Sequence, residues 1–272
     1  MIEKKSKGLN EMKVSILQME VKIGDIEANM RAVEEGVAVI VREQAPDVVV
    51  LPELWNTGYV PKVAAELAKG QRERLCPWMA ELAMRHNIVL VGGSIANELH
   101  GRVYNTSFVF DAEGVILAEY NKVHLFSPAN EHLFFDGGDV LPTFFVGGLR
   151  AAVITCYDIR FPEFVRMAAL KGIKVLFVVA AWPHPRQDHW DTLLKARAIE
   201  NQMFVAAANT VGTAGKVTMC GHSVILDPWG LPLAMAGEEE TVLTAELPIA
   251  LRGSAKSKID VMADRKPHVY RL

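Results

Sequence analysis

Cysteine is scarce in this chain: Cys76, Cys156 and Cys220 are the only three among 272 residues, an odd number with no C-x-x-C pair. Neither a disulfide framework nor a zinc knuckle fits that spacing, and a reducing, cytoplasmic setting suits it best. Excess charge of either sign is also absent. The 29 Lys and Arg against 32 Asp and Glu leave a formal net charge of -3, without the basic surface that nucleic-acid binders need. Long apolar runs are lacking as well: no window approaches the ~20 apolar residues of a membrane span. The run Val14–Leu17 behind the lysine-bearing start MIEKKSKGLNEMK is too short for a signal-peptide core. The expectation is a soluble chain with no export signal, no nucleic-acid partner and no membrane partner. Neither G-x-G-x-x-G nor a Walker loop occurs, and no H-x-x-x-H or H-x-E pattern supports zinc, so no cofactor or metal is expected. Gly92-Gly93-Ser94-Ile95-Ala96 lacks the final glycine of a nucleophile elbow.

What is present is apolar and periodic. Half of the residues are hydrophobic, 50%, against 22% charged, enough to bury a sizeable core. No Pro/Gly/Ser-rich or charge-rich linker interrupts the pattern between Val14 and Leu247, which predicts one domain over residues 13–272 behind a loose tail of residues 1–12. Short β-branched runs alternate with helical patterns: Val14–Leu17, a helix over Glu27–Arg42, Val48–Leu51, a helix over Val63–His86, and Ile88–Val91. A hairpin follows, Ser107–Asp111 and Val115–Glu119 around Ala112-Glu113-Gly114. The same order then recurs: Ala151–Ile154, a helix over Glu163–Lys171, Val175–Val179, a helix over Asp188–Gln202, Phe204–Ala207, and a second hairpin, Ser223–Asp227 and Leu231–Ala234. Two half-domains of like topology are best stacked as two sheets face to face with helices outside, an α/β class. The basic segment Leu251–Leu272 shows no strong pattern and reads as a tail that packs on a partner.

In such sheets the loops at strand ends form the ligand-binding rim, and those ends carry Glu53, Lys122, Cys156 and Trp182. A thiol near its usual pKa of ~8.5 is mostly protonated, so a nucleophilic Cys156 needs a base, for which Glu53 is the candidate. Lys122 and the backbone N–H of Tyr157, directly after the thiol, are candidate holders of an oxyanion. Each residue has a plainer reading: a buried inert thiol, a carboxylate near a helix N-terminus, a solvated lysine. Cys76 and Cys220 keep that plain reading as core residues. A Cys–His pair using His124 or His222 is a rival arrangement, and Arg160 has Asp158 and Glu163 as possible scaffold partners.

The segments VVLPELWNTGY (Val49 to Tyr59), EYNKVHLF (Glu119 to Phe126) and ITCYDIRFPE (Ile154 to Glu163) resemble the glutamate, lysine and cysteine motifs of the nitrilase superfamily of carbon–nitrogen hydrolases, in that family's order. The resemblance implies a four-layer αββα sandwich, commonly a homodimer across helices beside the nucleophile. It implies Cys156 as nucleophile, Glu53 as general base and acid, Lys122 as oxyanion holder, and Glu131 as a second positioning glutamate, being the only carboxylate in its loop before Asp136. The Cys-Tyr-Asp-x-Arg-Phe-Pro-Glu string is similar to the ω-amidase and Nit-like branch, which implies a small amide substrate such as 2-oxoglutaramate. Arg160 is then the partner for its carboxylate, with Trp182 and Tyr59 lining a small pocket. N-carbamoyl amide hydrolysis is the alternative within the superfamily, and a non-catalytic scaffold the alternative outside it.

Overall fold

The computed structural model describes residues 11–270. The first half runs β1 (Glu11–Gln18), α1 (Ile26–Gln44), β2 (Val48–Val50), α2 (Pro61–Glu66), α3 (Gln71–His86), β3 (Val89–Leu99), β4 (Arg102–Phe110) and β5 (Ile116–Asn121). The second runs β6 (Phe144–Val146), β7 (Leu149–Thr155), α4 (Pro162–Leu170), β8 (Val175–Val179), α5 (Gln187–Asn201) and β9 (Phe204–Ala208). A short ribbon of β10 (Thr213–Ala214) and β11 (Val217–Thr218) follows, then β12 (Val224–Leu226), β13 (Pro232–Met235), β14 (Thr241–Pro248) and α6 (Ala250–Lys258).

Two six-stranded sheets result, ordered β14-β1-β2-β3-β4-β5 and β13-β12-β9-β8-β7-β6. In each, three strands run parallel, β1-β2-β3 and β7-β8-β9, and antiparallel strands complete the two sides. The period of two along a strand sorts side chains between layers. Val14, Ile16, Val48 and Val50 join the cluster shared with the second sheet, while Leu17, Val49 and Leu51 face the other way, toward α1 and α3. On the far side Val165, Ala168, Leu194 and Ala198 bring α4 and α5 onto the second sheet. The layers are helices, sheet, sheet, helices, the α/β sandwich the duplicated pattern implies.

Several boundaries differ from the sequence reading. The helix expected over Val63–His86 is broken into α2 and α3 at Gly70, whose φ of +73° ends one helical path before the next begins. The first hairpin is longer than its apolar core suggests: β4 runs back to Arg102 and pairs with β3 across a turn at His100 and Gly101. The edge strands β6 and β14 were not expected. Glu11 and Met12, assigned to the tail, belong to β1, where Met12 is buried opposite Leu247; residues 1–10 lie outside those described. The segment after Leu251 begins as helix α6, which buries Ala255. No helix among the described residues is long and apolar enough to cross a membrane.

Candidate active site

Glu53 leaves the sheet just beyond β2 in a turn that the bulged stretch of β3 between Val91 and Ser94 cradles. Ser94 N–H donates to the Pro52 carbonyl at 3.1 Å, and Ser94 Oγ accepts from Leu54 N–H at 3.0 Å. The backbones touch so closely that a Cβ on Gly93, at φ +62°, would lie 2.1 Å from the Pro52 oxygen. Gly92-Gly93-Ser94, too incomplete for an elbow, is thus the seat of the Glu53 turn. Glu53 Oε1 accepts from Lys122 Nζ and from Asn105 Nδ2, both at 2.8 Å, and Oε2 accepts from Ala181 N–H at 2.9 Å.

Lys122, just after β5, also donates to Glu131 Oε2 at 2.9 Å and Oε1 at 3.1 Å. Glu131 receives further bonds from Phe126 N–H at 2.6 Å, Tyr59 OH at 3.1 Å and Asn105 Nδ2 at 3.2 Å. Glu53, Lys122 and Glu131 are fully buried, so two carboxylates share one ammonium in a low-dielectric interior. Their environments push the acids apart. Burial raises Glu53 above the ordinary carboxylate range, helped by Glu131 and opposed by Lys122. Burial works against Glu131 too, but Lys122, the Phe126 N–H and Asn105 hold it below that range. Burial likewise disfavours the Lys122 ammonium, yet Glu131 and Glu53 keep it charged, well above the usual lysine value. A pair so divided gives one carboxyl that can carry a proton and one that stays ionised.

Cys156 follows β7 directly and opens a tight turn through Arg160, with φ at +44°, a left-handed conformation that costs a non-glycine residue about 1–3 kcal/mol. Asp158 holds this turn. It accepts from Thr155 N–H at 2.9 Å, Tyr120 OH at 2.6 Å and His124 N–H at 3.0 Å, and lies 2.8 Å from His124 Nδ1. The Cys156 turn and the lysine loop are therefore tied to one buried carboxylate. Burial pushes the Cys156 thiol well above its usual range, and Glu53 adds to this by its charge and by accepting the thiol's hydrogen bond, against the pull of Lys122. Burial and the neighbouring Glu53 charge thus favour the protonated thiol at rest. Tyr157 N–H stands in the first turn of the short helix, where such groups lack an intrahelical acceptor.

Above Cys156 lies a cavity of about 390 Å³ whose walls include Tyr59, Phe126, Tyr157, Arg160, Trp182 and Arg186, a size in the usual range for small-molecule sites. The sequence-predicted residues thus converge: Cys156 at the floor, Tyr59, Tyr157, Arg160 and Trp182 in the wall, and Glu53, Lys122 and Glu131 in the buried cluster behind the thiol. Neither scaffold partner of Arg160 is used; its guanidinium lies 4.5 Å over the Trp182 ring and 3.2 Å from His189 Nδ1. The candidate histidine partners are engaged elsewhere, His124 with Asp158 and Phe161, His222 with Gln187 and Asp191. Cys76 and Cys220 are buried thiols raised by burial to about 12. Sequence reasoning missed Asn105, which bridges both carboxylates, and Arg186. The signal for Asn105 was present in the polar run Asn105-Thr106-Ser107 ahead of the apolar Phe108-Val109-Phe110 in β4; Arg186, in the short helical turn before α5, gave none.

The sequence matches the family model described as carbon-nitrogen hydrolase over residues 13–257. This chain belongs to the carbon-nitrogen hydrolase family. It is 40% identical over 257 residues to a protein of Bacillus subtilis (strain 168) named 2-oxoglutaramate amidase, covering 94% of this chain and 98% of that one. Omega-amidase NIT2 of Homo sapiens is 31% identical over 236 residues, 84% of this chain and 86% of that one. Among solved structures, a variant of the amidase from Nesterenkonia sp. AN1, with the acetamide moiety of fluoroacetamide added covalently at its active-site cysteine, superposes with a TM-score of 0.86 at 29% identity over 97% of each chain. The protein is accordingly a carbon–nitrogen hydrolase of the amidase kind.

Proposed function

We propose that this hydrolase cleaves the terminal carboxamide of a small 2-oxo acid, in the manner of an ω-amidase acting on 2-oxoglutaramate, to the acid and ammonia. The observation that carries the reading is Arg160: a guanidinium in the cavity wall with no carboxylate partner among the described residues, beside a protonated thiol that faces a general base. A planar fork of this kind suits a substrate carboxylate. The names of the Bacillus and human relatives support the same substrate class.

In this reading the thiol proton passes to Glu53 as sulfur bonds to the carbonyl carbon, and the carbonyl oxygen becomes an oxyanion held by Lys122 Nζ and Tyr157 N–H. Glu53 then gives the proton to the amide nitrogen, the C–N bond breaks, and ammonia leaves a thioester on Cys156. Water next loses a proton to Glu53 and adds to the thioester; the C–S bond breaks and the proton returns to sulfur. Glu131 stays ionised throughout and holds Lys122 in place, while Tyr59 and Trp182 shape the cavity around the acyl chain.

The same reading takes the protein to be a cytoplasmic homodimer. Three free thiols suit a reducing compartment, and exposed Met167 and Leu170 on α4 with Ile199 on α5 give an apolar face beside the nucleophile turn. Incubation with 2-oxoglutaramate, with ammonia release and intact mass followed together, tests the chemistry. Ammonia from the wild type and none from Cys156→Ala supports it; no ammonia from either, with release from N-carbamoyl compounds, overturns it.

A further inference from the structure

A second guanidinium faces the cavity without a role in the chemistry above. Arg186 closes the short helical turn His184–Arg186 ahead of α5. Its carbonyl accepts from Trp182 Nε1 at 2.7 Å, which fixes the turn against the cavity wall, and its guanidinium lies 5.2 Å from the Phe126 ring centroid. Phe126, Trp182, Arg160 and Arg186 all line the cavity, and no aspartate or glutamate does. The two arginines are close enough to repel: burial lowers Arg160 from the usual arginine value, and Arg186 lowers it further. Two cations facing one concavity, with no ion pair to a carboxylate among the described residues, form a site suited to more than a single anionic oxygen.

We propose that Arg186 is a specificity-determining residue that acts with Arg160 as a two-guanidinium clamp, receiving the carboxylate and the adjacent 2-oxo oxygen and excluding substrates with an ammonium at that carbon. The inference rests on the 2-oxo acid reading and deepens it. A keto oxygen only accepts hydrogen bonds, and a guanidinium only donates them. An α-ammonium in the same place meets two like charges and no carboxylate in the wall, so repulsion serves selection as much as attraction does. The clamp therefore sorts 2-oxo acid amides from the corresponding amino acid amides, which share chain length and carboxylate.

The test compares kcat/KM for 2-oxoglutaramate, L-glutamine and the neutral valeramide in wild type, Arg186→Gln and Arg186→Lys. In wild type 2-oxoglutaramate is the preferred substrate. In Arg186→Gln the preference for 2-oxoglutaramate over L-glutamine falls about 10- to 100-fold, through the KM of the oxo acid more than through kcat, since lost substrate contacts act chiefly on binding. Arg186→Lys, which keeps the charge and loses the fork, restores part of it. A loss of equal size on all three substrates makes Arg186 a structural residue and overturns the proposal, as does an unchanged preference in Arg186→Gln. Wild type that hydrolyses valeramide better than 2-oxoglutaramate overturns the 2-oxo acid reading itself, and the clamp with it.

Discussion

The ends of β2 and β8 occupy the same place in the two halves, each the middle strand of a parallel trio. They carry opposite cargo. Beyond β2 the chain delivers Glu53, a buried carboxylate; beyond β8 it delivers Ala180-Ala181-Trp182, and the Ala181 N–H donates to that same carboxylate. The first half and its outgoing loop supply the buried ion cluster behind the thiol, Glu53, Lys122 and Glu131, while the second supplies the thiol and much of the wall. A repeated frame fixes where loops arrive, and side chains divide the labour: one half holds the buried Glu–Lys–Glu cluster, the other presents the sulfur and the two guanidinium groups of the wall.

The division can be broken from either side. Removing the sulfur of the second half has the largest effect: Cys156→Ala lowers turnover by roughly 10⁵-fold or more, as loss of a nucleophile does elsewhere, with a melting temperature at or above that of wild type because the strained turn loses no buried ion. Removing the proton acceptor of the first half, Glu53→Gln, lowers kcat by about 10²- to 10⁴-fold, and the rate of Cys156 alkylation by a neutral amide reagent such as fluoroacetamide falls with it. Lys122→Met leaves two carboxylates buried without their cation and costs about 3–5 kcal/mol in denaturant unfolding. The pH dependence has a definite sign. Lys122 is raised above 10.5 in the folded state, so its stabilisation is complete below that value and is lost as pH climbs through the folded one; Lys122→Met lacks this alkaline limb. Glu131 is lowered below 4.5, so its contribution holds above 4.5 and is lost as pH falls through its folded value, a limb that Glu131→Gln lacks. The smallest effect is at the wall: Arg160→Lys raises KM for 2-oxoglutaramate about tenfold, the equivalent of one bidentate contact, and acts on kcat less.

The site was legible in sequence because a strand end is a fixed address: Glu53 and Cys156 each follow an apolar run that folds as read, and Lys122 follows the second strand of the first hairpin. Glu131 was legible through the resemblance of the motifs around it. Asn105 was not, since its bridging of Glu53 and Glu131 comes from the partnering of β4 with its neighbours, and pairing register has no local signature beyond a polar residue where an apolar one is due. The break between α2 and α3 was hidden for a related reason: Ala64, Ala68 and Leu75 continue an apolar spacing across a left-handed Gly70, and only the backbone turn separates them. Edge strands β6 and β14 escaped notice because they are half exposed and their alternation is diluted. Arg186 depends on how α5 docks, a tertiary fact with no trace in the local pattern.

The pairing of β1 with β14 joins the first strand of the chain to the last, Glu11 opposite Pro248 and Gln18 opposite Thr241. During synthesis, β1 leaves the ribosome long before its outer neighbour exists. At about 5–20 residues per second the wait is roughly 10 to 45 s. Throughout that interval the sheet bearing Glu53 has an open row of backbone donors and acceptors along Met12–Leu17, available to any other extended chain. The last strand made is the one that seals it, so truncation before Thr241 yields a chain prone to aggregate even though every residue at the cavity floor has already been translated.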